Sequence, residues 1–164
     1  MKVLNRILTW TDQGIQYEAD PRHAEIVIKQ LGLEGAKGVT TPGTKDEGGT
    51  EESHEQELNQ EDTSMYRAIT AGLNYLASDR ADLAFSVKEI ASEMSKPTKG
   101  SWDRLKRIGG YLVANPRVVV NYRWQAIPKE VQLYTDADWA GCKTTRKSTS
   151  GGCILCLLYT SDAA

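Results

Sequence analysis

The sequence is poor in several residue types that carry common chemistries. Its 164 residues include three cysteines, two histidines and a single phenylalanine. Neither His23 nor His54 has an acid or a nucleophile at a spacing that would indicate a catalytic triad. The sequence contains no GxGxxG or GxxxxGK(S/T) segment, so it predicts no nucleotide-cradling loop and no small-molecule cofactor.

Long apolar runs and paired metal-ligand motifs are also missing. No apolar run reaches the roughly 18 residues that suggest a membrane helix, and nothing resembles a secretory leader. We therefore expect an intracellular location and no membrane partner. Cys153 and Cys156 form a CxxC, but no second ligand pair follows at zinc-site spacing, so no zinc site is predicted.

Charge is distributed unevenly, although the formal net charge is only −2. Basic and acidic side chains balance over residues 1–42, whereas residues 43–64 hold one lysine against eight acids. That stretch has one large apolar side chain, Leu58, and is predicted to be a linker because it cannot bury enough surface to offset the entropy of ordering. Residues 65–155 hold fourteen basic and eight acidic side chains. This excess suits a phosphate backbone, and solvated helix faces would also produce it.

Two elements are predicted in the first 42 residues. Weak alternation over residues 3–9 and 14–18 indicates a hairpin. Asp20 and Pro21 then suit the cap and first turn of a helix, and Gly32 suits its end. The apolar face of this helix is Ala24, Val27, Ile28 and Leu31.

Helical periodicity begins at Met65 and predicts three packed helices up to Pro116. The second ends before Pro97, and the third is capped by Ser101. The three core stripes are Ile69, Leu73 and Leu76; Leu83, Val87, Ile90 and Met94; and Trp102, Leu105, Ile108 and Leu112.

Beyond Pro116 the period changes from helical to that of strands. Residues 117–124 and 131–138 alternate, and residues 151–158 form a third extended run. Helices followed by the opening strands of a sheet predict an α+β fold.

Asp136 and Asp138 lie in the densest polar segment of this part of the chain, residues 134–142. Two residues apart on a strand, their carboxylates would face the same side. A hard divalent cation would stabilise such a pair. The alternative is that Asp138 begins a turn and is solvated.

Two clusters of polar and basic residues are candidates for phosphate contacts. Residues 146–150 read RKSTS and combine cations with hydroxyl donors, but a solvated hairpin loop has the same composition. Arg104, Lys106 and Arg107 lie on the polar side of the third helix and suit either a duplex backbone or solvent.

Several segments resemble one known family, the copia-type retrotransposon polyproteins. Residues 66–76 and 80–84 resemble its YR…G.L.YL…RPDI signature, with Ala81 in place of the usual proline. Residues 105–112 look like its R.LRYLKGT helix. The most specific similarity is that of YTDADWAG at 134–141 and RKSTSG at 146–151 to the family's YSDADWAG and RKSTSG. With looser similarity upstream, the resemblance covers about residues 15–155.

The resemblance implies an internal piece of an LTR retrotransposon Pol polyprotein. That family joins an RNA-directed DNA polymerase to a ribonuclease H, which cuts RNA in RNA–DNA hybrids with four carboxylates and two Mg2+ ions. Asp136 matches the first of those carboxylates and would bind Mg2+ in the intact parent. The Tyr-x-Asp-Asp pair of the polymerase is not present. Because one carboxylate of four cannot hold both metals, the piece itself is expected to be inactive.

The same resemblance divides the chain into segments. Residues 1–42 would end the reverse transcriptase palm and thumb, 43–64 would be the acidic linker, and 65–116 a thumb- or connection-like helical region. Residues 117–155 would be the incomplete start of a ribonuclease H-like sheet. Residues 156–164 resemble a translated sequencing adapter and are predicted to be non-native, which would also remove the CxxC.

The expected partner, in the intact parent, is an RNA–DNA hybrid or a template–primer duplex, in a cytoplasmic particle or the nucleus. The residues expected to contact it are Arg104, Lys106, Arg107, Arg146, Lys147 and Ser148. Two other functions stay open. One is a non-catalytic nucleic-acid-binding or scaffold protein domesticated from such an element. The other is a small metal-dependent hydrolase that uses Asp136 and Asp138 alone.

Overall fold

The computed structural model describes residues 1–43, 56–127, 130–141 and 146–155, which combine helices with two antiparallel sheets. This mixture agrees with the predicted α+β class. The elements are β1 Lys2–Val3, β2 Arg6–Thr11, β3 Gly14–Glu18, α1 Pro21–Gln30, α2 Gln60–Ala77, α3 Ala81–Ser92, α4 Lys99–Ala114, β4 Val119–Arg123, β5 Gln132–Ala137 and β6 Ser150–Leu155. None of the helices in these ranges is long and apolar enough to cross a membrane.

The chain forms two compact units. One comprises Met1–Leu8 with Tyr17–Val119, and the other comprises Thr9–Gln16 with Val120–Ala164. Most of the predicted acidic linker and the whole predicted adapter-like tail, together with Cys156, lie outside the described residues.

The helical stripes predicted from the sequence form the core of the first unit. The buried side chains of these stripes are Ile69, Leu73, Leu76, Leu83, Val87, Ile90, Leu105, Ile108 and Leu112. Trp102 and Met94, predicted in the same stripes, are partly buried against that core. The period of the apolar residues was sufficient to identify these faces because each helix buries one side only.

Helix α1 begins and ends where the sequence predicts. The Asp20 carboxylate accepts a hydrogen bond from the Arg22 backbone N–H at 3.1 Å. Hydrogen bonds from the Arg22 guanidinium lower the pKa of Asp20 to about 2, against the opposing effect of burial. Gly32 follows the helix with φ +65°, a conformation that glycine adopts without steric cost.

The predicted starts of two other helices were wrong. Helix α2 begins at Gln60 rather than Met65, because Asn59 caps it by accepting a 2.8 Å hydrogen bond from the Asp62 N–H. Helix α4 is capped by Thr98 rather than Ser101. Ser101 is instead the third helical residue and completes a reciprocal capping box with Thr98.

The segment after α1 crosses helix α4 at closely packed glycines. A Cβ at Gly109 would lie 2.6 Å from Leu31 Cδ1, and one at Gly38 would lie 2.6 Å from the Ala114 Cβ. The Val39 N–H donates to the Gly110 carbonyl at 3.1 Å. Because these positions lack side chains, the segment lies directly on the helix backbone.

A buried arginine joins the start of α3 to the end of α4. The Arg80 side chain is 2% exposed, donates through Nε and Nη2 to the Asp82 carboxylate, and donates through Nη2 to the Asn115 carbonyl at 3.1 Å. Tyr111 Oη donates to the same carboxylate at 2.9 Å. Burial acts to raise the pKa of Asp82, but the hydrogen bonds and charge of Arg80 outweigh it and the pKa is lowered. In this protein the RADL segment is therefore a structural link between two helices.

Replacing Ala81 with proline is expected to stabilise the protein by about 0.5–1 kcal/mol. Ala81 is the first residue of α3, where the backbone N–H has no acceptor within the helix, and Arg80 before it lies outside the α region at φ −123°, ψ 83°. Urea unfolding of the full chain measures the change. The matched control is Ala84→Pro in the helix interior, which should cost about 3 kcal/mol. A destabilising Ala81→Pro would contradict this view of the helix start.

The strands after Pro116 do not form one sheet, contrary to the sequence-based expectation. Strand β4 joins the N-terminal hairpin in a four-stranded sheet of order β1-β2-β3-β4, and β5 pairs only with β6 among the described strands. In the second unit, the Trp124 N–H donates to the Gln13 carbonyl at 2.8 Å and the Trp124 indole N–H donates to the Thr11 carbonyl at 3.3 Å. This pairing could not be predicted from local sequence patterns, because β4 and the N-terminal hairpin are separated by about 100 residues in the sequence.

Candidate nucleic-acid interface

Strands β5 and β6 bring the two most specific motif segments together. They pair antiparallel in a register that places Asp136 opposite Gly151 and Ala137 opposite Ser150. All six residues of β5 are exposed. Side chains alternate across a strand, so Asp136 shares one face with Tyr134 and Cys153, while Leu133 and Ile154 lie on the other. The Asp136 carboxylate is therefore accessible on an open hairpin.

Asp138 begins the turn that follows β5, as one of the two sequence-based interpretations predicted. Its backbone N–H donates to the Thr149 carbonyl at 3.0 Å. Its carboxylate accepts hydrogen bonds from the N–H groups of Thr149 at 2.6 Å and of Gly141 at 3.4 Å. A Cβ at Gly141 would approach Asp138 Oδ2 to 2.3 Å, so a larger residue there would require the Asp138 side chain to shift. The carboxylate of Asp138 is thus engaged in shaping the turn.

These residues do not by themselves fit a two-metal centre. Such a centre uses several carboxylates around a pair of ions about 3.5–4 Å apart. Within the described ranges, no group of three or more His, Cys, Asp or Glu side chains is placed to hold a metal ion. Asp136 is one accessible ligand, and Asp138 has backbone donors in place of a cation.

Arg146, Lys147 and Ser148, the predicted phosphate contacts that precede β6, are exposed. Arg146 has a left-handed backbone with φ +55°. The Ser148 hydroxyl oxygen accepts a 3.0 Å hydrogen bond from the Ala140 N–H, which leaves its own proton available to a ligand. Lys147 and Ser148 follow Arg146 directly, so the segment presents two cations and a hydroxyl next to β6.

The basic residues predicted on helix α4 differ in their availability. Arg104 Nη2 donates to both oxygens of Glu93 at 2.5 and 2.6 Å. Arg107 donates to Thr41 Oγ1 at 2.9 Å, and its Nε is buried without a hydrogen-bond partner among the described residues. Lys106 is exposed. A phosphate could reach Lys106 without breaking these contacts, whereas Arg104 and Arg107 also support the fold.

Sequence reasoning assigned no role to Trp139, although it lies in the most specific motif. Its side chain is 93% exposed, compared with 53% for Trp10 and 56% for Trp124. It stands between Asp138 and Ala140, whose backbone groups are both fixed by the turn. A tryptophan inside an otherwise polar segment was the signal that could have identified it.

Comparison with known proteins identifies relatives over most of the chain. It is 30% identical over 148 residues to an uncharacterized mitochondrial protein of Arabidopsis thaliana, covering 85% of this chain and 60% of the relative. It is 36% identical over 90 residues to the retrovirus-related Pol polyproteins from transposons RE2 and RE1 of the same plant, covering 55% of this chain and 6% of each. A secreted RxLR effector protein of Plasmopara viticola is 34% identical over 84 residues, covering 51% of this chain and 58% of the effector.

The chain therefore spans less than two thirds of the length of each of these relatives. No family model matches it. No solved structure matches it either.

Proposed function

We propose that this chain, which belongs to the copia-type Pol polyproteins of LTR retrotransposons, is a piece of their reverse transcriptase and ribonuclease H regions. Residues 65–116 would be the thumb- or connection-like helical part, and strands β5 and β6 would be the first strands of the ribonuclease H-like sheet. The piece binds an RNA–DNA hybrid or template–primer duplex and does not itself catalyse. Its place of action would be inside the cell, in a particle or the nucleus.

The observation that carries this proposal is the pairing of the two motif segments in the β5–β6 hairpin. YTDADWAG and RKSTSG are separated by four residues, and Asp136 and Ala137 of the first pair with Gly151 and Ser150 of the second. The two cations and the hydroxyl of Arg146, Lys147 and Ser148 are groups expected of a surface that approaches nucleic acid. Mg2+ binding is proposed only for the intact parent, with Asp136 as one ligand.

Salt-dependent binding of a labelled RNA–DNA hybrid tests this function. Neutralising phosphates with lysine and arginine releases counterions, so the affinity of the full chain should fall steeply between 50 and 200 mM salt. Lys106→Glu should weaken binding severalfold and reduce the slope of log K against log salt by about 1 or more. Lys106 is chosen because it is exposed, whereas Arg104 and Arg107 donate hydrogen bonds to Glu93 and Thr41 that support the fold.

The matched control is Lys29→Glu, an exposed lysine near the end of α1. This reversal should leave hybrid affinity within about twofold of the unmodified chain, because Lys29 lies outside the proposed interface. Affinity that is insensitive to salt and to reversal at Lys106 would contradict the proposal. Equal losses in both variants would show only a nonspecific response to net charge and would count against it as well.

A second candidate function is a non-catalytic nucleic-acid-binding or scaffold protein domesticated from such an element. It is favoured by two relatives whose names are not those of polyproteins, the mitochondrial protein and the secreted effector. Sequencing the source transcript past position 155 discriminates the two functions. A continuing Pol-like reading frame supports the first function, and a native stop codon after a folded C-terminus supports the second.

A further inference from the structure

We propose that Trp139 is a stacking contact for an unpaired nucleobase of an RNA strand that flanks the hybrid. This inference rests on the proposed function and adds to it a residue and a feature of the ligand. It starts from the exposure of the indole, which is 93%. An indole this exposed contributes almost no buried area to the described residues and is accessible to a ligand.

The backbone that carries Trp139 is nevertheless held in place on both sides. Asp138 before it is bonded through its N–H and carboxylate to Thr149. Ala140 after it, with φ +51°, donates its N–H to the Ser148 hydroxyl. Both neighbours of Trp139 are therefore bonded to residues next to or near β6, and little conformational entropy of the backbone at Trp139 would be lost when a ligand binds it.

The same turn supplies the other groups that a nucleic-acid strand requires. The Ser148 hydroxyl oxygen accepts from the N–H of Ala140, the residue that follows the tryptophan, and Arg146 and Lys147 directly precede Ser148 in the chain. An aromatic ring beside cations is the combination that binds single strands, with bases stacked on the ring and phosphates near the cations. Two cations at this position would contribute less to the affinity for an apolar protein partner than to the affinity for a nucleic-acid strand.

The geometry of nucleic acids decides which base the indole can reach. Inside a duplex, both faces of each base pair are covered by the neighbouring pairs. A side chain on a protruding turn can therefore stack only on a base that has no covering neighbour, such as one in a single-stranded extension. The inference thus specifies a hybrid whose RNA strand continues beyond the last base pair.

Two probes and three variants test the inference with the full chain. The probes are a blunt RNA–DNA hybrid and the same hybrid with a three-nucleotide RNA extension, each labelled with fluorescein for anisotropy. The unmodified chain should bind the extended hybrid about fivefold or more tightly than the blunt one. Trp139→Ala should remove that preference while leaving the affinity for the blunt hybrid nearly unchanged. Trp139→Phe, which keeps an aromatic ring, should retain part of the preference.

Trp10→Ala is the matched control, because Trp10 is also an exposed tryptophan of the second unit. It should leave the preference for the extension intact. A preference that persists in Trp139→Ala, or that is lost equally in Trp10→Ala, overturns the inference while the proposed function stands. An unmodified chain that binds both probes equally well overturns it in the same way. An unmodified chain that binds neither probe overturns both proposals.

Discussion

Replacing Arg80 with methionine is expected to lower the free energy of unfolding by about 3 kcal/mol. The guanidinium is buried and makes a forked hydrogen bond with Asp82 and another with the Asn115 carbonyl. Methionine fills much of the same volume, so the decrease in the free energy of unfolding would come from the missing contacts rather than from a cavity. Without Arg80, the Asp82 carboxylate keeps the Tyr111 hydroxyl but loses its charge partner. Urea unfolding followed by circular dichroism measures the change.

Arg67→Met is the control for this prediction. Arg67 also donates to backbone carbonyls, of Met94 at 2.7 Å and Ser95 at 2.9 Å, but it is exposed and has no carboxylate partner among the described residues. Its replacement should cost about 1 kcal/mol, the usual net contribution of solvent-accessible hydrogen bonds. If the free energy of unfolding decreases equally in the two variants, the buried link between α3 and α4 stabilises the fold no more than exposed hydrogen bonds do, and the prediction is wrong.

Replacing Gly14 with alanine is expected to disrupt the pairing of β3 with β4, at a cost of about 3 kcal/mol. A Cβ at this position would lie 2.0 Å from the Tyr122 carbonyl oxygen and 2.7 Å from the Arg123 Cα. Both obstacles are backbone atoms, which cannot rotate away as a side chain would, so the strands must separate. Amide hydrogen exchange at Trp124, whose N–H donates to the Gln13 carbonyl, should accelerate markedly in the variant.

Gly72 provides the opposite outcome for the same substitution. It lies inside helix α2, and a Cβ there would meet no atom within 4 Å. Gly72→Ala should therefore stabilise the protein by about 0.5–1 kcal/mol, because alanine loses less backbone entropy than glycine when a helix forms. Unchanged protection of the Trp124 amide in Gly14→Ala would contradict the close approach of the two strands.

Local sequence patterns were sufficient to predict some parts of the fold, such as the apolar helix faces, but not others. The stripes through Leu73, Leu83 and Leu105 were predictable because helical period and burial coincide over many residues. Helix starts were less predictable, since Asn59 lies in an acidic stretch whose composition indicates a linker. Thr98 and Ser101 both suit a cap, and only the geometry showed that the two hydroxyls cooperate.

Contacts between distant residues could not be predicted in this way. The pairing of β4 with β3 and the link from Arg80 to Asn115 depend on chain segments that meet only in the folded protein. At the candidate site, two interpretations of Asp138 were open from the sequence alone, and the hydrogen bonds from Thr149 and Gly141 support the turn. Mg2+ binding by Asp136 in the intact parent stays a prediction, as do the nucleic-acid contacts of the six basic and hydroxyl residues.

One assay tests the central claim most directly. The full chain is mixed with an RNA–DNA hybrid labelled on the RNA strand, with and without Mg2+, and both anisotropy and RNA length are followed. Because Asp136 belongs to no group of three or more possible metal ligands in the described residues, we predict salt-sensitive binding with the RNA left intact. Magnesium-dependent shortening of the RNA that disappears in Asp136→Asn would contradict this account.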